Sequence, residues 1–296
     1  MQTPYFLDDP QLSTTPLLAP LQKPAGKLFS RGGDFSLQTT GNTILITGGG
    51  SGIGRALAEA FHKLGNQVIV AGRRKAALDE TVAANPGMHA AVLDVQNADA
   101  LTEFVVSISR DYPSLNVLIN NAGIMKTEDL NDPAADFSVV ESTVETNLIA
   151  PLRLTTALLP LLKKQPHSTV MMVSSGLAFT PLAMTPSYCA TKAAIHSWTE
   201  SLRYQMQGSS VQVMELIPPY VQTELQGERQ KNDPRAMPLA EFLAEVMEII
   251  TTQPEAKEIR VQRVHPLRFS AEKGQEGYEQ IFTGLNDGMR AAMAKH

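Results

Sequence analysis

Cysteine occurs once in the 296 residues, at Cys189, so no internal disulfide can staple the fold. A single thiol fits a reducing compartment. Long apolar runs are also missing. None approaches the roughly 20 residues that a membrane-spanning helix needs. An excess of positive charge is absent too: 25 Lys and Arg stand against 30 Asp and Glu, for a net charge of -5 and a pI near 5.7. A nucleic-acid-binding surface carries the opposite bias. The N-terminus lacks the features of a secretory leader. No Lys or Arg precedes Lys23, Asp8 and Asp9 interrupt the start, and prolines stand at 4, 10, 16, 20 and 24. No cluster of His, Cys, Asp and Glu has metal-ligand spacing, and no segment repeats. Together these absences predict a soluble, cytoplasmic protein with neither nucleic acid nor membrane as partner.

What is present divides unevenly. Residues 1 to 40 are rich in Pro, Leu, Thr and Gln, and so many prolines leave no helical or strand period. They read as an irregular arm, either disordered or strapped over a neighbouring subunit or the site. From residue 41 one large domain is expected. The hydrophobic content of 43% is enough for a substantial core. Short β-prone runs recur at 43–47, 67–71, 89–93, 117–120, 169–173, 211–217 and 258–264, with amphipathic stretches between most of them. Strands alternating with helices imply a parallel sheet covered on both faces. The expected fold is therefore α/β, a Rossmann-type doubly wound sheet of about seven strands.

The first strand runs into Thr47-Gly-Gly-Gly-Ser-Gly-Ile-Gly54, followed by a helical stretch from Arg55 to Leu64. A glycine cluster alone could be only a turn. Between a strand and a helix at the start of a βαβ unit it suits a pyrophosphate, because the helix offers free N–H groups and a positive dipole end. The second strand ends Ala71-Gly72-Arg73-Arg74. NAD specificity normally uses an acid at this place for the ribose 2′-OH. Gly72 stands there instead, and Arg73 can meet a 2′-phosphate with charge-assisted bonds. Two arginines opening a helix also run against the dipole preference, which favours an anion nearby. NADP(H) is therefore favoured and NAD(H) remains open.

A further segment, Tyr188-Cys-Ala-Thr-Lys192, sets a phenol and an ammonium at i and i+4, on one helix face. A nearby cation lowers a phenol's pKa. The pair is either a tuned proton donor or a surface contact with a snorkelling lysine. Cys189, with no paired His, reads as packing, and His196 as a helix-face residue rather than a ligand.

The spacing T-G-x-x-x-G-x-G at Gly48, Gly52 and Gly54, then Asp94, Asn120-Asn-Ala-Gly123, Asn147, Ser174-Ser175 and Tyr188-x-x-x-Lys192 occur in an order that resembles the short-chain dehydrogenase/reductase family. The resemblance covers residues 42 to roughly 265. It implies hydride transfer between a nicotinamide and a small-molecule carbonyl or secondary alcohol. It implies a catalytic set of Asn147, Ser175, Tyr188 and Lys192: Tyr188 as acid/base, Ser175 stabilising charge on oxygen, Lys192 lowering the tyrosine pKa and holding ribose, and Asn147 positioning a water. Ser175 rather than Ser174 fits the family's offset from the tyrosine. The nucleotide would lie along Gly48, Ser51, Gly52, Ile53, Gly54, Arg73, Arg74, Asp94, Val95, Asn121, Ala122 and Gly123. Its nicotinamide end would meet Tyr188, Lys192, Pro218, Val221 and Thr223. Pro219 replaces the family's usual glycine and should stiffen that loop. Residues 224–238 stand where the family carries a mobile substrate lid. Leu177, Phe179, Met184, Tyr220 and Met237 are candidates for an apolar lining or for core. The Pro-Pro pair and the tail around 277–286 resemble the DltE-like bacterial branch. A homodimer or homotetramer is expected from the resemblance. An NAD-dependent alcohol dehydrogenase and a non-catalytic nucleotide sensor on the same fold are the alternatives.

Overall fold

The structure, a computed structural model, describes residues 37–293. The arm expected over residues 1–40 lies outside the described residues except for its last four, of which Leu37 is already buried in the core.

In chain order the main elements are β1 (Thr43–Thr47), α1 (Gly52–Lys63), β2 (Gln67–Gly72), α2 (Lys75–Ala84), β3 (His89–Val92), α3 (Ala98–Asp111), β4 (Val117–Asn120) and α4 (Ser138–Val144). A π-helical turn, Glu145–Ile149, leads into α5 (Ala150–Leu162). Then follow β5 (Ser168–Val173), α6 (Pro186–Gln205), β6 (Val211–Leu216), α7 (Glu228–Lys231), α8 (Leu239–Thr252), β7 (Glu258–Ile259), α9 (His265–Arg268) and α10 (Gly274–Met293).

Among the described residues the seven strands form one sheet in the order β3-β2-β1-β4-β5-β6-β7, and every pairing is parallel. The side chains of β1 alternate as strand geometry requires. Ile44 and Ile46 pack with Leu57 and Phe61 of α1 and Phe242 of α8. Leu45 points to the opposite layer with Leu101 of α3, Leu154 of α5 and Ile195 of α6. Both faces are therefore covered, and the central strands are buried along their whole length.

The expected strand at 258–264 is shorter in the structure. It ends at Ile259, and residues 262–264 form a 3-10 turn that feeds α9, where Pro266 occupies the first turn. Val261 and Val264 stay fully buried, so the apolar pattern there reflects core packing rather than sheet pairing. The strand order reverses between β1 and β4. Ligands of open α/β sheets bind at such a switch point, beyond the carboxyl ends of the strands.

Candidate active site

The carboxyl ends of β1 and β4 are locked together by Thr47. Its Oγ1 accepts the N–H groups of Asn121 and Ala122, both at 3.1 Å. The Asn121 amide donates back to the carbonyls of Thr47 and Gly48, at 3.0 and 3.3 Å. This brace forces a close approach that only glycine tolerates. Gly48 has φ +69, and a Cβ there would sit 2.8 Å from the Asn121 amide nitrogen. A Cβ on Gly54 would lie 2.4 Å from the Gly48 carbonyl oxygen.

Beyond this brace α1 begins with its N-terminus open. The Ser51 side chain makes no cap bond and the first turn carries no acid. The Ser51 hydroxyl instead accepts from the Arg74 guanidinium at 2.8 Å. Exposed N–H groups, a positive dipole end and a tethered arginine suit a phosphate-bearing ligand. The cleft above them has a volume of about 360 Å³, within the usual range for small-molecule sites. It runs from Arg73 and Arg74 past Gly52 to Ser175, Tyr188 and Lys192. A dinucleotide therefore fits the residues present.

Most of the predicted nucleotide contacts line this cleft: Gly48, Ser51, Gly52, Ile53, Arg73, Arg74, Val95, Asn121, Ala122, Gly123, Pro218, Val221 and Thr223. Gly54 lies behind the loop and acts by allowing its close packing. Asp94 stands at the rim rather than in the cleft wall. It is exposed, its Oδ1 accepts the Gln96 N–H, and its neighbours Leu93 and Val95 supply the cleft wall.

The four residues expected to be catalytic come from three neighbouring places. Ser175 follows β5, where its Oγ accepts the Leu177 N–H at 3.1 Å. Tyr188 and Lys192 stand on the first turns of α6. The Lys192 ammonium lies 5.6 Å from the Tyr188 ring centre and donates to the Val173 carbonyl at 2.8 Å. Asn147 sits in the π-helical turn, a distortion common at functional sites. Its amide is fully engaged: Oδ1 accepts the Ile124 N–H, and Nδ2 donates to the Ile124 carbonyl and to Thr191. The side chain thus braces the β4 exit loop against α6. A Cβ on Gly123 would meet Asn147 Oδ1 at 3.3 Å and Lys192 Nζ at 3.8 Å, so both groups flank one glycine.

Burial reverses the expected acidity of the tyrosine. Loss of solvent pushes the Tyr188 phenol up to about 12, although a hydrogen bond from Ser175 works the other way. Loss of solvent also pulls Lys192 down to about 8, against a raising pull from Glu215. The lysine's charge does not offset the cost of desolvating the phenol. Cys189 behaves as packing: it is buried, its thiol is pushed up by burial, and Sγ rests against the Leu182 backbone.

The depressed lysine has a consequence for stability. Between about 8 and its ordinary 10.5 the unfolded chain binds the extra proton, so stability falls as pH drops through that window and the cost is complete below it. A Lys192→Met protein should therefore be more stable than wild type at pH near 7, by up to about 3 kcal/mol. The advantage should shrink as pH rises from about 8 and be gone above 10.5. Paired thermal melts at the two ends of that window check this.

Several residues lining or supporting the site were not expected. Gln230, on α7, is buried and donates to the Val221 carbonyl at 2.8 Å and to Thr223 at 3.1 Å, fixing one wall of the cleft. The segment around 224–238 is accordingly tied down, with Met237 bridged to Val221 and Asp233 holding both Tyr220 and Arg235. Of the lining candidates, Leu177 and Met184 pack beside Tyr188, together with Met125 and, from α10, Leu285 and Met289. Met237 belongs to the core, and Phe179 packs against His196 instead. Gln230 sits in a polar stretch with no signal of its own. The α10 face could have been found from its apolar spacing at Ile281, Leu285 and Met289.

Among the described residues no helix is long and apolar enough to cross a membrane. A family model described as short chain dehydrogenase matches residues 42–234. The chain is 44% identical over 192 residues to a Bacillus subtilis protein named uncharacterized oxidoreductase DltE, a match covering 64% of this chain and 75% of that one. Among solved structures, a serine dehydrogenase complexed with NADP+ is 26% identical, with a TM-score of 0.65 over 73% of this chain and 91% of that one. A Burkholderia phymatum short-chain dehydrogenase/reductase in complex with NAD is 20% identical and shares the fold, with a TM-score of 0.68 over 80% and 95% of the two chains. A strand-switch cleft, a glycine loop at an open helix end and this match over most of the chain lead to one conclusion: the chain belongs to the short-chain dehydrogenase family, as an NAD(P)-binding oxidoreductase.

Proposed function

We propose that the protein is an NADP(H)-dependent reductase that converts a carbonyl to a secondary alcohol, with Tyr188 as the proton donor. The observation that carries this reading is the convergence of Ser175, Tyr188 and Lys192 at one end of a cleft whose other end holds two arginines. A bound reduced nicotinamide supplies the hydride. The chain's own residues manage the oxygen. The Ser175 Oγ accepts from Leu177, and its hydroxyl hydrogen can turn from the Tyr188 phenol to a substrate oxygen gathering negative charge. Tyr188 O–H gives its proton to that oxygen as the C–H bond forms. The phenol, pushed up to about 12 by burial, carries its proton at neutral pH, as donation requires, and does not by itself choose between the two directions. Lys192, anchored on Val173, then stabilises the phenolate left behind. Asn147 acts as the brace that holds the loop flanking Lys192.

The choice of NADP(H) rests on Arg73 and Arg74 lining the cleft where Gly72 leaves no acid, and the related serine dehydrogenase was solved with NADP+. The apolar wall of Leu177, Met184, Leu285 and Met289 suits a substrate with a hydrophobic body, since methionine-rich surfaces adapt to varied shapes. Assembly as a homodimer or homotetramer accords with the family. The test is a panel of aldehydes and ketones mixed with protein and NADPH, then NADH, following loss of the reduced nicotinamide. NADPH-dependent reduction of apolar carbonyls is expected. Failure of every carbonyl with both nucleotides, and of the matching alcohols in reverse, would leave a non-catalytic nucleotide binder.

A further inference from the structure

Strand β6 carries a carboxylate in the sheet interior. Glu215 is fully buried, its neighbours Met214 and Leu216 belong to the core, and it pairs in register with Met172 of β5 and Glu258 of β7. Burying a carboxylate is costly unless it is paired. One oxygen is satisfied: Oε2 lies 2.8 Å from His196 Nδ1. The other, Oε1, is buried with no hydrogen-bond partner among the described residues.

Its position is suggestive. His196 stands one turn after Lys192 on the same face of α6. The Lys192 ammonium donates to the Val173 carbonyl, and Val173 is paired with Leu216, the residue after Glu215. The carboxylate therefore sits one residue down and one strand across from the lysine's anchor. Its charge raises the lysine's affinity for its proton.

We infer that Glu215, held by His196, is a positioning residue for Lys192: it is the buried counter-charge that keeps the ammonium protonated and docked beside Tyr188. This rests on the reductase reading for its catalytic meaning, but not for its electrostatics. The other charged groups around the carboxylate agree with that role. Glu200 on α6 is exposed and 4.0 Å from His196 Nε2. Glu258 on β7 is held by Arg268 at 2.7 Å and by Arg260 at 3.2 Å. Arg268 stacks on Phe179, which packs edge-on against His196. Toward Lys192 itself stand the Tyr188 ring, the Val173 carbonyl and, across Gly123, the Asn147 amide, none of them a carboxylate. His196, Glu215 and Glu258 also come within 4.8 Å of one another, a spacing that a metal ion could use. Within this trio the arginines Arg260 and Arg268 engage Glu258.

The test reads Lys192 directly. Proteins labelled at the lysine side chains are titrated by NMR, with the Lys192 signal assigned from a Lys192→Met protein. Glu215→Gln should move the Lys192 midpoint to lower pH by about one unit or more, the size expected for loss of a close opposite charge. His196→Gln, which retains a bond to the carboxylate, should leave the midpoint close to wild type. Where Glu215→Gln fails to fold, the double variant Glu215→Met with His196→Leu removes both partners and orphans neither, and it should show the same downward shift. An unchanged or raised midpoint in the charge-removing variant overturns the inference. If the wild type reduces no carbonyl, the proposed function falls while this titration still decides the role of Glu215.

Discussion

A Tyr188→Phe protein should keep its fold and its affinity for NADP+ but lose carbonyl reduction, with kcat/KM falling by about 10²- to 10⁴-fold. The substitution removes one oxygen. The ring stays packed against Leu182 and Cys189. The effect should fall on kcat rather than KM, because the proton moves only in the transition state. The check is steady-state kinetics on any carbonyl the wild type reduces, beside a thermal melt with and without NADP+. Unchanged reduction would mean that another group protonates the oxygen. Loss of both activity and NADP+ binding would mean that the phenol's role is structural.

The second large effect concerns the choice of nucleotide. Arg73→Ala combined with Arg74→Ala should weaken NADP+ binding by about 10²-fold or more, since each charge-assisted bond contributes roughly 1.5–3 kcal/mol. NAD+ binding should change little, because the adenosine 2′-OH carries no charge. The single variants divide the task. Arg74 is tethered by Ser51 and so is already ordered, whereas Arg73 lines the same cleft with no bond to Ser51. Binding titrations of both nucleotides to the single and double variants read this out. Equal losses for NADP+ and NAD+ would assign the arginines to the shared pyrophosphate.

Much of the site was legible because its parts are local in sequence. Three of the motifs end strands: the glycine loop after β1, Asn120 to Gly123 after β4, Ser174 and Ser175 after β5; Asn147 and Tyr188-x-x-x-Lys192 lie on helical turns instead. A parallel sheet brings all carboxyl ends to one edge, so recognising strands places these three together, while the roles of their residues came from the family resemblance. The apolar runs marked the strands well except at β7, where buried Val261 and Val264 serve the core without pairing. What was missed depends on contacts across the fold. Gln230 is one polar residue in a polar stretch, and only its approach to Val221 and Thr223 makes it part of the cleft. Glu215 did carry a signal, as a charge inside the otherwise strand-like run Val211 to Ile217. The acidity of Tyr188 came out reversed because the i,i+4 argument counts the lysine's charge and cannot count the burial of both groups. Asp94, expected from the resemblance to meet the adenine, stands exposed after β3 with its carboxylate capping the Gln96 N–H.

The central claim is that the cleft is an NADP(H) site, and thermal melting of the wild-type protein alone, with NADP+ and with NAD+ tests it most directly. A ligand at a hundred times its dissociation constant adds about 2.7 kcal/mol of stability. A clear rise in Tm with NADP+ and little with NAD+ is the predicted result. A rise with NAD+ alone would contradict the assignment of Arg73 and Arg74 and favour an NAD-dependent alcohol dehydrogenase.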